Sequence, residues 1–257
     1  MTTDFGLKDP YVAEIKATIL RISPGATIVD VTHDIAQFNI LMGAYTLSAA
    51  APHFPEGTIH VAVVDPGVGT RRRSILIQTA DNFFIGPDNG LLILAAEQQG
   101  IKCIREITNK RLMLRQVSST FHGRDVFASA AAHLSNGAAP AEFGPEIRDV
   151  LKPEFLKVAL IEGVLVGEVL HVDNFGNVTT NIRSEELTHI RVTGRVNCEF
   201  PSQKIRLKFC KAYGEAKPHD PLILIGSHNY LEIAINQGNA AEKFKVKLGD
   251  KIKIFFA

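Results

Sequence analysis

Apolar residues recur at helical spacing from Asp9 onward, at Val12, Ile15, Ile19 and Ile22, until Pro24-Gly25 interrupts them. Ala26 to Val31 then reads as a short buried strand, which completes one alternation of helix and strand. A second helical stretch, Ile40 to Ala51, leads into Thr58–Val64, whose β-branched run suits a strand covered on both faces. Ser74–Thr79 and Asn82–Ile85 predict two further strands about a turn at Ala80-Asp81. Gly90–Gln99 has helical composition and stops at Gly100. Asp125–Asn136 repeats the helical pattern, the acid favouring a helix start and Asn136-Gly137 a stop. This alternation predicts an α/β layer domain on a parallel-rich sheet over residues 1–145.

Beyond that point the pattern changes. Ala138-Ala139-Pro140, Gly144-Pro145 and Pro153 mark a connecting region, with 146–157 as the linker, and helical periodicity gives way to short β-rich segments. These are Leu165–Val172, Val178–Ile182, Ile190–Phe200, Lys204–Phe209, Leu222–Ile225, Tyr230–Ile235 and Lys245–Phe256. In Lys251-Ile252-Lys253-Ile254 charged and apolar residues alternate, as a half-buried strand requires. Residues 158–257 are therefore expected to form an all-β domain, an antiparallel sandwich or small barrel.

Composition narrows the function classes. With 257 residues, 46% of them hydrophobic, the chain can bury a full core, which excludes disordered and fibrous proteins. Lys plus Arg total 28 against 27 for Asp plus Glu, and no like-charge run exceeds Arg71-Arg72-Arg73, so a nucleic-acid partner has no electrostatic footprint. Cys103, Cys198 and Cys210 are odd in number, widely spaced and without a CxxC pair, which reads as ordinary thiols in a reducing, cytoplasmic compartment. Met1-Thr2-Thr3-Asp4 shows no basic-then-apolar leader, and the apolar stretch Val158–Leu170 is broken by Glu162 and Glu168, so neither secretion nor membrane spanning is expected.

Three loops stand where an α/β sheet presents its ligand site, beyond the carboxyl ends of strands: Thr2–Gly6, Asp65–Thr70 and Pro87–Gly90. Asp4, Asp65 and Asp88 are therefore expected to converge, although each taken singly also suits a helix cap or braced turn. Gly67 and Gly69 permit close backbone approach, but the third glycine of a dinucleotide fingerprint is missing and no phosphate loop occurs. The three arginines read as a solvated turn, or more sharply as one arginine turned back on Asp65. His122 sits immediately before a helix start, and no spacing supports a metal held by Asp4, Asp65, Asp88 and His122. In the second domain Asp173–Val178 and Gly226–Glu232 read as hairpin turns, or as a ligand site. There Asp173 and Glu232 would face a cation, Phe175 and Tyr230 would stack, and Asn177 would pair with a base edge.

Taken in order, TTDFG at 2–6, DPGVGT at 65–70, PDNG at 87–90, STFHGRD at 119–125, DNFGNV at 173–178 and GSHNYLEIAIN at 226–236 resemble the S-adenosyl-L-methionine (SAM) hydrolases that form adenosine. These are also called SAM hydroxide adenosyltransferases and are relatives of fluorinase and chlorinase. The resemblance implies a Rossmann-like N-terminal domain, a C-terminal β-barrel, and a homotrimer that binds SAM between the N-terminal domain of one subunit and the C-terminal domain of its neighbour. It implies a water-activating triad of Asp65, Arg72 and His122, with Arg71 and Arg73 as competing assignments. Asp4 falls on the family's ribose-binding aspartate, with Phe38 and Phe121 near the sugar and sulfonium. Asp9, Tyr11, Asp173, Ser227 and His228 would contact the methionine part, and Phe175, Asn177 and Tyr213 would hold adenine. Family members usually carry a few strand residues before TTDFG, whereas Met1 directly precedes Thr2, which leaves open a shortened first strand or an internal start.

Hydrolysis of SAM at the ribose 5′-carbon turns a sulfonium into a neutral thioether, so it needs a held and polarised water rather than a metal or other cofactor. Asp65 would accept the water's hydrogen bond or proton and neutralise Arg72 beside the cationic substrate. The halogenases have a long insertion, a tyrosine in place of Asp65 and a serine in place of Gly123, differences that favour water over halide. A SAM-binding module without turnover, a SAM-dependent halide adenosyltransferase and a metal-dependent hydrolase are the rival readings.

Overall fold

The computed structural model describes residues 1–153, 157–187 and 194–255. The chain divides into two compact units, Met1–Pro153 and Glu154–Ala257. In the first, five strands, β1 (Thr2–Thr3), β2 (Ile59–Val63), β3 (Ser74–Thr79), β4 (Phe83–Pro87) and β5 (Ile101–Glu106), form one sheet in the order β1-β2-β4-β3-β5. β1, β2 and β4 are parallel, but β3 runs antiparallel to both β4 and β5. The sheet is therefore mixed rather than parallel throughout. Only residues 80–82 join β3 to β4, too few for the crossover that parallel neighbours need. Thr79 Oγ1 donates to Asn82 O (2.8 Å) and locks that turn.

Helices α1 (Tyr11–Ile22), α2 (Ile40–Ala50), α3 (Ile93–Gln98) and α4 (Ser129–Ser135) cover the sheet. Val61 and Val63 pack in a cluster with Ile15, Ile19 and Ala130, while Ala62 and Val64 pack in another with Leu47, Leu92 and Ala95. Alternate residues of one strand thus feed two cores, which is why β2 is apolar on both faces. Three expectations change. Ala26–Val31 forms no strand and meets Met1, just before β1, through single bonds such as Val31 N to Met1 O at 2.8 Å, because β1 offers only two residues to pair with. The helix expected from Asp125 begins earlier, with a π-helical turn over Gly123–Ala128. β5 went unread because its burial does not alternate cleanly along Ile101–Glu106.

In the second unit, β7 (Val164–Val172), β8 (Val178–Arg183), β9 (Arg195–Glu199), β10 (Lys204–Phe209), β11 (Pro221–Ile225), β12 (Tyr230–Ile235) and β13 (Lys251–Phe255) close into a seven-stranded barrel through the β13–β7 pairing, and β6 (Ala159–Ile161) adds to β7. Of the two expected β architectures, the barrel is the one present. Its pairings are antiparallel except β10–β11, whose long connection allows a parallel return. Ile252 and Ile254 point inward and Lys251 and Lys253 outward, as their alternation predicted. Residues 245–250 turn instead of extending that strand, with Lys245 left-handed at φ 54°. Residue 256 and residues 190–193, also expected in strands, lie outside the described residues. Short α5 (Ala240–Phe244), capped by Asn239, stacks Phe244 on Phe200 at 5.1 Å. Among the described residues no helix is long and apolar enough to cross a membrane.

One buried polar group in the first unit titrates against folding. His60 on β2 is 3% exposed, stacks on Phe84 at 4.9 Å and meets Phe54 edge-on, and its Nε2 has no hydrogen-bond partner. Burial pulls its pKa down to about 4. The unfolded chain takes up this proton near histidine's ordinary range, so the ring's contribution to stability is lost as pH falls from there to about 4. That loss should be on the order of 3 kcal/mol. Urea unfolding across this pH window should show it, and His60→Phe should flatten the slope; equal slopes in both proteins would refute the assignment.

Candidate active site

β1 and β2 are parallel and end at one edge, where Asp4 and Asp65 follow them. Beyond Asp65 the chain turns tightly: Val68 N donates to Asp65 O (3.3 Å) and Thr70 N to Gly67 O (3.2 Å). Gly69, at φ 75°, lies so close to the Ser119 carbonyl that a Cβ would collide with it. This close approach keys the 65–70 loop to the 118–122 loop that carries His122.

Arg72 joins the parts. Its Nε donates to Asp65 Oδ1 (2.9 Å) and Oδ2 (3.1 Å), its Nη2 pairs with the same Oδ2, and its Nη1 donates to Ser74 Oγ (2.9 Å). Nη2 also stands 2.9 Å from His122 Nδ1. A guanidinium has no acceptor, so Nδ1 must accept, which leaves the proton of the neutral imidazole on Nε2. The Asp65 and Arg72 side chains are nearly buried, and each is held by the other. Burial and then the Arg72 charge lower the His122 pKa, opposed by Asp65 and Asp125.

Of the three adjacent arginines, Arg72 is therefore the one against Asp65. Arg71 is exposed, and Arg73 turns away to Asp88 (2.7 Å) and Asp149 (2.8 Å). Asp88, whose Oδ1 also accepts from Leu151 N, does not join Asp4 and Asp65 as expected: it braces the chain after β4. Among the described residues no three His, Cys, Asp or Glu side chains are grouped to hold a metal ion.

Asp4, Asp9, Tyr11, Phe38, Asp65, Phe121 and His122, all singled out in the sequence, line one cavity of about 480 Å³. Asp4 Oδ2 accepts from Phe38 N (2.9 Å), and burial, with Asp65 nearby, raises its pKa against the pull of that bond. Phe5, Tyr11 and Phe121 meet edge to face at 5.3–5.9 Å. Phe5, Glu14 and Arg124 also line the cavity but were not singled out as candidates. Glu14 lies one helical turn beyond Tyr11, a spacing that signals a shared face. Phe5 and Arg124 lie inside the motifs already marked.

The second unit gathers its own set. Asp173 Oδ1 accepts from Phe175 N (2.9 Å) and Asn177 N (2.8 Å), and its Oδ2 from Asn177 Nδ2 (2.9 Å). This leaves the Phe175 ring 77% exposed. Tyr213 Oη donates to Glu232 Oε1 (2.6 Å), and Glu232 Oε2 sits beneath Gly226 at the start of the turn bearing Ser227 and His228. Burial raises the Glu232 pKa, Tyr213 opposes this, and the Asp173 charge adds to it. His171, which the sequence reading passed over, feels both Asp173 and His228, and burial lowers its pKa. Tyr230 differs from expectation: it is 2% exposed with the Arg183 guanidinium 5.5 Å from its ring, so it offers no open face for stacking.

Comparisons with known proteins agree with the motifs. A family model described as the SAM hydroxide adenosyltransferase N-terminal domain matches residues 1–144, and one described as the C-terminal domain matches residues 167–253. The (R)-S-adenosyl-L-methionine hydrolase of Methanocaldococcus jannaschii is 38% identical over 100% of this chain and 95% of its own, and a fluorinase from an Actinoplanes species is 28% identical over 96% and 93%. The crystal structure of an uncharacterized conserved protein from Thermotoga maritima superimposes with a TM-score of 0.90 at 38% identity, covering 99% of this chain and 98% of that one. With both halves of the chain matched in order and a relative this similar over 95% of its own length, the protein belongs to the SAM hydroxide adenosyltransferase family.

Proposed function

We propose that this chain hydrolyses S-adenosyl-L-methionine to adenosine and L-methionine by attack of water on the ribose 5′-carbon. The observation that carries this reading is the Asp65–Arg72–His122 cluster, assembled from two loops, whose Asp65 and His122 line the cavity that also holds Asp4. Four relatives at 37–38% identity bear the name of that activity. The cavity chemistry suits a cationic substrate, since carboxylates of Asp4, Asp9 and Glu14 and the rings of Phe5, Tyr11 and Phe121 line it.

The water lies between the Asp65 carboxylate and the His122 Nε2–H. Arg72 fixes both groups and cannot give up its own charge. The water oxygen forms the bond to C5′ as the carbon–sulfur bond breaks, the electron pair stays on sulfur to leave the neutral thioether of methionine, and the water's proton passes to Asp65 and then to solvent. Positioning supplies up to ~10⁸ M effective molarity and proton transfer ~10²- to 10⁴-fold. No metal or other cofactor is called for, because the leaving group departs uncharged. The parallel strands β1, β2 and β4, with Asp4 and Asp65 following β1 and β2, support a Rossmann-like reading of the first unit. As the resemblance implies, three copies assemble so that a neighbour's Asp173, Phe175, Asn177, Tyr213, Ser227 and His228 complete the substrate site. Three free cysteines fit work in the cytoplasm.

Incubation with SAM should yield adenosine and methionine in equal amounts by chromatography. Asp65→Asn and His122→Ala should each lower turnover by about 10²- to 10⁴-fold while SAM still binds by calorimetry. Undiminished turnover in both would overturn the assignment, and binding by wild type without product would mark a module that only holds SAM. A chelator should leave the rate unchanged, and chloride should give no 5′-chloro-5′-deoxyadenosine. Because His122 must stay neutral to accept from Arg72 and its pKa is lowered, kcat should hold as pH drops through histidine's ordinary range and fall only below it. Light scattering should report three times the 28.1 kDa chain mass.

A further inference from the structure

Asp125 is 0% exposed, yet it is neither in the cavity wall nor among the residues assigned to the reaction. A buried carboxylate is costly unless its oxygens are satisfied, and these are. Oδ2 accepts from the Ser118 backbone N (2.7 Å), Oδ1 from Arg124 Nε (2.6 Å), and Oδ2 again from Arg124 Nη2 (3.3 Å). Adjacent side chains diverge on an α-helix, and this pairing of neighbours occurs in the π-helical turn Gly123–Ala128. The turn is anchored by Arg124 N and Asp125 N, both donating to Phe121 O at 3.2 and 3.1 Å. Arg124 is thereby aimed outward, its guanidinium 4.9 Å from the centre of the Phe121 ring and its Nη1 2.7 Å from Glu14 Oε2 on α1.

The consequence falls on both loops of the site. The amide that Asp125 grips belongs to Ser118, and the carbonyl of the next residue, Ser119, is the one packed on Gly69. Between this grip and the π turn lie only Ser119 to His122, His122 being the last of them. We infer that Asp125 is a positioning residue: by holding the Ser118 amide and Arg124 it sets the 118–122 loop so that His122 Nδ1 meets Arg72. This inference rests on the SAM-hydrolase reading only for its effect on rate.

The charged groups that face His122 are Arg72 and Asp65 from the 65–73 segment and Asp125 from its own turn, while Asp4, Asp9, Glu14 and Arg124 line the same cavity. Asp125 opposes the lowering of the His122 pKa, so removing its charge lowers that pKa further.

The test is Asp125→Asn, which keeps the shape and one acceptor oxygen but loses the charge. In ligand-free protein, the His122 ring titration followed by NMR should move to lower pH. With SAM, kcat should fall by about 10- to 100-fold with the acid limb of its pH profile displaced the same way. Arg124→Gln, at a half-exposed position, leaves the Asp125 charge less compensated and should move the His122 titration to higher pH. Opposite displacements in the two variants support the role. A His122 titration and acid limb that coincide with wild type in both, whatever happens to Tm, would reduce Asp125 to a structural residue and overturn it. The ligand-free titration needs no turnover, so a wild-type protein that released no adenosine would refute the proposed activity and leave this result standing.

Discussion

Arg72 is the point on which the site turns. Asp65, Ser74 and His122 come from separate positions in the chain, and the rigid fork of one guanidinium meets all three. A lysine at this position would bring one point charge in place of a planar fork. Because a guanidinium only donates, it also dictates the tautomer of the neutral His122 ring, with Nδ1 accepting and the proton on Nε2. The meeting of the two loops and the tautomer of the imidazole are thus tied to one side chain.

That fork works only because its surroundings are rigid. Asp65 is held by the end of β2, whose alternate residues enter two separate cores, so neither face of the strand can slip. Gly69 lets the loop after Asp65 press against the Ser119 carbonyl, and Asp125 grips the amide beside it. The barrel shows the same economy on a smaller scale. One carboxylate, Asp173, gathers two backbone amides and the Asn177 side chain, and the turn it builds leaves the Phe175 ring standing in solvent.

Much of this was legible in the chain. The 3.6-residue rhythm of Val12, Ile15 and Ile19 marked α1, the β-branched run Thr58–Val64 announced a strand covered on both sides, and Lys251–Ile254 showed which side of its strand faces the core. The cavity residues Asp4 and Asp65 stood in loops that a layered α/β sheet brings to one edge, while Phe121 and His122 stood in a polar motif just before a helix start. What was misread has local causes. β3 is reversed because a three-residue turn leaves no room for a crossover, Ala26–Val31 lacks a partner long enough to make a ladder, and a five-residue helix such as α5 is too short to show a period.

The sequence by itself determined the alternation of elements, the change from α/β to all-β, and the motif residues, because hydrophobic period and turn chemistry act over a few residues and are written locally. Only the tertiary structure decided which of three adjacent arginines reaches Asp65, that Asp88 serves Arg73 instead, that Tyr230 lies under Arg183, and that Asp125 is buried beneath the His122 loop. Each of these depends on the direction of a side chain relative to a segment distant along the chain. No local pattern encodes that direction until the packed cores have brought the segments together.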